Sequence, residues 1–123
     1  MLLNPVFINM LMVNGPVDFN HVKDSVARGL WVSIKYARSK CVCVTPTKLL
    51  EFAKSPYVRH PRTKALANRI LNTLCSCGFM EYIGERAKKN VYCIREDSPL
   101  WNTVKRSEGP EDVLRFIEEV IEQ

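Results

Sequence analysis

The sequence predicts an α+β fold: mainly helical, with one small antiparallel sheet. Three observations lead there. Apolar residues recur at helical spacing in the stretches around 18–39, 61–77 and 110–121. Only three short runs, CVCV, FMEYI and NVYCI, have strand character. The last two flank GERAKKN, a charged segment that reads as the turn of a hairpin.

Asn4-Pro5 opens the first element and Asn14-Gly15-Pro16 closes it. Asparagine as cap, proline at the first helical position and glycine past the end favour a helix of roughly nine residues, with a strand as the competing reading. Val6, Phe7, Ile8, Met10, Leu11, Met12 and Val13 make it apolar on nearly every side. Such a helix needs cover from the core or from a second chain. The second helix spans about Asp18 to Ser39, with Val22, Val26, Leu30, Ile34 and Ala37 as its buried stripe. CVCV follows as a strand. Thr45 caps a helix that opens at Pro46 and runs through TKLLEFAK, and Ser55-Pro56 ends it.

The turn SPYVRHP leads into the helix PRTKALANRILNTLCSCG. Leu66, Ala67, Ile70, Leu71 and Leu74 fall on one side of it. Arg62, Ala65, Asn68, Arg69, Asn72 and Ser76 fall on the other, with Lys64 at the edge, and no acidic residue lies between Pro61 and Met80. Gly78 stops the helix before the hairpin. A short helix is expected from near Ser98. The last helix, PEDVLRFIEEVIEQ, carries an apolar stripe of Val113, Phe116, Ile117, Val120 and Ile121, which can pack on its own domain or on a partner subunit. Glu111 and Asp112 in its first turn suit the helix dipole.

The net charge is +5, and its distribution says more. Residues 20–95 hold fifteen Lys/Arg against four Asp/Glu, whereas residues 96–123 hold three against eight. A basic body with an acidic end is a pattern of nucleic-acid binders; the plain alternative is a solvated basic surface. No run of eighteen apolar residues is present, so no membrane-spanning helix is expected. MLLNPVFINMLMV lacks a basic leader and does not read as a secretion signal. The expected location is intracellular, in the cytoplasm with the nucleoid.

The order helix, short strand, helix, turn, helix, hairpin resembles the winged helix-turn-helix superfamily. The resemblance covers roughly Asp18 to Ile94. It rests on TPTKLLEFAK as the supporting helix, TKALANRILNTLCSCGFM as the recognition helix entering the first wing strand, and FMEYIGERAKKNVYCI as the wing. ANRILNTLCSCGFMEY looks most like small archaeal and viral transcription regulators. The seven-residue SPYVRHP, with two prolines, departs from the tight turn of simple helix-turn-helix units. The resemblance implies a winged-helix DNA-binding domain at 18–95; the apolar N-terminal helix (1–17) precedes that domain, and an acidic C-terminal extension with an amphipathic helix (96–123) follows it. It also implies a homodimer, joined through the terminal helices.

The candidate site follows. Asn68, Arg69 and Asn72 are spaced to project together from the recognition helix, where Arg reads guanine and Asn reads adenine. Arg62 and Lys64 lie in its first turn, where backbone N–H groups also favour phosphate. Arg86, Lys88 and Lys89 at the hairpin tip suit phosphate contact, although charge on a hairpin also protects exposed edges. Arg38, Lys48, Lys54, Arg59 and His60 are further cationic or polar neighbours. The expected partner is double-stranded DNA, and the expected role is sequence-specific transcription regulation, with no enzymatic activity and no cofactor.

Two other functions fit less well. One is a protein-interaction module of a replication or transcription assembly. The other is a single-stranded nucleic-acid binder, which would need aromatic platforms such as Tyr57, Tyr82 or Tyr92. His21 and His60 are the only histidines and read as surface or capping residues. No Gly-rich phosphate loop, zinc-protease motif or nucleophile elbow is present.

Five cysteines remain: Cys41, Cys43, Cys75, Cys77 and Cys93. Strand alternation puts Cys41 and Cys43 on one face. The winged fold would pair CVCV with the strand holding Cys93, bringing all five near one another. Reduced core cysteines are the first reading, a disulfide the second and a metal site the third. C-x-C matches zinc spacing poorly. An intracellular disulfide is a hyperthermophile trait, and the single glutamine points weakly the same way.

Overall fold

The computed structural model describes residues 18–122. The expected N-terminal helix therefore lies outside the described residues. Within them the chain is α+β, with five helices and one three-stranded antiparallel sheet. The order is α1 (Phe19–Lys35), β1 (Cys41–Val44), α2 (Pro46–Phe52), α3 (Pro61–Ser76), β2 (Glu81–Arg86), β3 (Lys89–Arg95), α4 (Pro99–Arg106) and α5 (Glu111–Ile121). The strands lie in the order β1-β3-β2, so β3 is central. None of these helices is long and apolar enough to cross a membrane.

Helix α1 is the hub. Val22, Val26, Leu30 and Ile34 are fully buried, as the stripe predicts. Asp18 caps it by accepting from the His21 amide at 2.7 Å. Its end comes at Lys35, four residues before Ser39. There two lysines clasp two helix ends. Lys35 Nζ donates to the carbonyls of Lys105 and Ser107 at 2.9 and 2.6 Å, and Lys105 Nζ donates to those of Lys35 and Ala37 at 3.2 and 3.1 Å. Each cation satisfies carbonyls that the other helix leaves unpaired at its C-terminus. Gly29 lets α2 approach: a Cβ there would stand 2.8 Å from Leu49 Cα and clash with the Leu49 carbonyl.

Helices α2 and α3 end by the same device. Ser55 N–H bonds the Leu50 carbonyl and Lys54 N–H the Glu51 carbonyl, both at 3.0 Å, with Lys54 at φ 57°. Phe79 N–H bonds Leu74 at 2.9 Å and Gly78 N–H bonds Cys75 at 3.0 Å, with Gly78 at φ 83°. These are Schellman closures. Glycine marks the second in the sequence, and lysine disguises the first, so α2 stops at Phe52 rather than running through Lys54.

Leu66, Ala67, Ile70, Leu71 and Leu74 of α3 are buried. Thr63 is also fully buried, and its Oγ1 has no hydrogen-bond partner among the described residues. An unsatisfied buried hydroxyl costs ~1–3 kcal/mol. Thr63→Val keeps the shape and removes the hydroxyl. It is expected to raise the unfolding free energy by about 1 kcal/mol, measured by urea titration. A loss of stability would show that the hydroxyl is satisfied.

The C-terminal segment is part of the same core. Leu100, Trp101 and Val104 of α4, and Val113, Ile117 and Val120 of α5, are buried together with the α1 stripe. Lys23 of α1 pairs with Glu118 of α5 at 3.1 Å. The stripe of α5 therefore packs on its own domain.

Candidate nucleic-acid interface

The hairpin turn is shorter than GERAKKN. Strands β2 and β3 run to Arg86 and Lys89, which pair directly, and only Ala87 and Lys88 turn, at φ 52° and 64°. This is the type I′ geometry that matches strand twist. The tip therefore lifts Arg86, Lys88 and Lys89 together, all exposed. A bulge at Ile83, with Gly84 at φ 122°, bends β2 behind it.

Lys88 and Lys89 meet Lys64 of α3 around one open cleft of about 230 Å³. Pro46 and Thr47 of α2, Asn68 of α3, and Ala87 and Asn90 of the hairpin complete its lining. Three lysines, one from α3 and two from the hairpin, thus line one depression. On the other flank of α3, Arg62 and Arg69 rim a cleft of about 400 Å³ with Phe19, Leu66, Ile70, Thr73 and Ile121. Ala65, Asn72 and Ser76 are exposed on the face between the two flanks. His60 caps α3: its Nδ1 accepts from the Arg62 amide at 3.1 Å.

The expectation that Asn68, Arg69 and Asn72 project together needs correction. Asn68 is half-buried, and its Oδ1 accepts from Asn90 Nδ2 and from Tyr92 Oη, each at 3.0 Å. Tyr92 Oη also lies 2.9 Å from Asn72 Oδ1, so one phenolic proton serves two acceptors. Tyr82 Oη donates to Asn90 Oδ1 at 2.9 Å. Asn68 thus lacks the free acceptor that bidentate adenine reading requires. It fastens α3 to the hairpin and so sets the angle between them. Arg69 stays exposed on the opposite flank, and Asn72 stays exposed between. Asn90 and Tyr92 share a strand face with buried Ile94, and that period of two is the signal that would have placed them against α3.

Tyr92 is fully buried, so it is no stacking platform. Tyr82 is committed to Asn90 and tilts over Tyr92, with centroids 5.3 Å apart. Tyr57 is half-buried and meets the His21 ring edge-on at 5.3 Å. Of the three rings considered for stacking with single strands, Tyr92 is enclosed, Tyr57 is half-covered and Tyr82 keeps 48% of its surface exposed. His21 also bonds Ser55 Oγ at 3.0 Å, tying α1 to the turn before α3.

Burial pushes the Tyr92 phenol up to about 12, with smaller pushes from Cys75 and Tyr82. The unfolded chain ionises this phenol near its ordinary value of ~10. Between those values the unfolded state sheds a proton that the folded state keeps, so stability falls as pH rises. The full effect is on the order of 2–3 kcal/mol. Tyr92→Phe is expected to flatten the fall in urea midpoint between pH 10 and 12. Equal slopes for both proteins would contradict the assignment.

The cysteines divide. Cys43 and Cys93 are register partners on β1 and β3, 4.0 Å apart at Cα, and are joined as a disulfide. Cys41 is free and exposed on the same face. Cys75 and Cys77 stand apart at the end of α3. The Cys75 thiol touches the field of Tyr92, on the helix-facing side of the sheet, and burial, then Glu81, push it up. The expectation that all five lie together fails because adjacent strand residues face opposite sides. The first reading, reduced core cysteines, is likewise replaced for Cys43 and Cys93.

Glu118 pairs with Lys23, and Asp112 pairs with Arg115 at 3.2 Å. No family model, no curated protein and no solved structure matches this chain.

Proposed function

We propose that this protein binds double-stranded DNA sequence-specifically as a transcription regulator of winged helix-turn-helix type. Helix α3 lies in the major groove and the β2–β3 tip lies on the phosphate backbone. The element order α1-β1-α2-α3-β2-β3, with β3 central, supports the winged-helix reading. One observation carries the functional one. Lys64, Lys88 and Lys89 line one cleft beside a helix whose residues include no acidic side chain. Phosphate contacts position the protein, and base contacts specify. Lys64, Lys88 and Lys89 fill the first role; Arg69 and Asn72 fill the second, with Arg62 and Arg86 at either end.

The test separates the roles. After selection of a preferred site from random duplex DNA, Arg69→Ala is expected to lower preference for that site by about 1–3 kcal/mol. Lys88→Ala is expected to weaken all duplexes alike and to reduce the salt slope by about 1. Equal losses for both variants on every sequence would overturn base reading by α3.

A further inference from the structure

We infer that Cys41, Cys43 and Cys93 form a site for one thiophilic d10 metal ion of the Cu(I) class when the Cys43–Cys93 bridge is reduced. The three Sγ atoms lie within 4.8 Å of one another. Three thiolates around one ion, at bonds of about 2.3 Å, stand about 4 Å apart. Cys41 therefore stands within reach of both bridge sulfurs, which part toward that spacing once their bond is reduced. Its frame is rigid: alternation puts Cys41 and Cys43 on one face of β1, and the register sets Cys93 of the central strand opposite Cys43. Cys41 and Cys43 are exposed and give the ion access, while Cys93 is 6% exposed and gives the site a buried side.

The donor set selects the ion. All three ligands are sulfur, and soft thiolates favour Cu(I) over hard cations. Among the described residues no fourth histidine, cysteine or carboxylate joins the group, which suits three-coordination rather than a closed tetrahedral zinc site. Arg95, the register partner of Cys41, brings one cation to the site's edge, where it also pairs with Glu81 at 3.9 Å. Cys75 and Cys77 lie outside the group.

A phosphine reductant opens the site. Phosphorus gives two electrons to the S–S bond and takes the oxygen of one water. The two protons of that water go to Cys43 and Cys93, and the phosphine leaves as its oxide. The ion then displaces the thiol protons of Cys41, Cys43 and Cys93 to solvent.

The full chain is reduced without oxygen, freed of phosphine and titrated with Cu(I) held by the chromogenic chelator bicinchoninate. One equivalent per chain is expected to leave the chelator. Iodoacetamide then modifies Cys75 and Cys77 but spares the other three. Cys41→Ser is expected to weaken binding at least 100-fold, whereas the double variant Cys75→Ser/Cys77→Ser keeps one equivalent. The site is overturned if the parent takes up no metal, if Cys41→Ser keeps it or if the double variant loses it. Should the reduced metal-free chain lose helical circular dichroism, its return with one equivalent of Cu(I) supports the site, and failure to return overturns it.

Discussion

Reduction of Cys43–Cys93 in metal-free buffer is expected to lower the unfolding free energy by about 4 kcal/mol. The bridge spans 50 residues, so it removes the closure entropy of a long loop from the unfolded chain. It also anchors β1, a four-residue strand whose one neighbour is β3. Four rungs from Cys41–Arg95 to Val44–Tyr92 hold β1 otherwise, and α2 starts two residues later. The loss is thus felt where the cationic cleft begins, at Pro46 and Thr47. Urea unfolding with and without phosphine and chelator measures it. An unchanged midpoint would show that the bridge does not form in solution.

Replacing Lys64, Lys88 and Lys89 together by alanine is expected to lower duplex affinity several-hundred-fold at ~0.1 M salt. Each neutralised phosphate contributes a slope near 0.9 in log K against log salt, so each contact is worth about eight-fold between 0.1 M and 1 M. Three contacts multiply to several hundred. The fold should persist. Lys88 and Lys89 are exposed, Lys64 is half-buried, and alanine at position 88 keeps the positive-φ strain that lysine already bears there. Circular dichroism of the variant checks this. A loss smaller than ten-fold, with the fold intact, would contradict phosphate contact by the cleft.

Much of this architecture is local and was legible. Val22, Val26, Leu30 and Ile34 repeat at helical spacing and are fully buried. Thr45, Ser98 and Gly78 mark helix ends by their chemistry, and each acts there. What stayed hidden depends on contacts between distant residues. Gly29 reads as a poor helix residue until Leu49 comes within reach of its missing Cβ. Lys54 ends α2 in a conformation that glycine would have announced. Asn68 reads as an outward side chain because its partners, Asn90 and Tyr92, lie 22 and 24 residues away. The Cys43–Cys93 bridge likewise requires a strand register that spacing alone does not supply. The helix and the hairpin that carry the candidate residues were thus legible as elements, but which of their side chains are committed inside the fold emerged only from the packing.

The most direct test is equilibrium binding of labelled random-sequence duplex, and of single strands of the same length, across a salt series. The account predicts tighter binding of duplex than of single strands. For the duplex, log K should fall linearly with log salt at a slope of about −3 or steeper. No duplex binding at ~50 mM salt, or binding indifferent to salt, would contradict it.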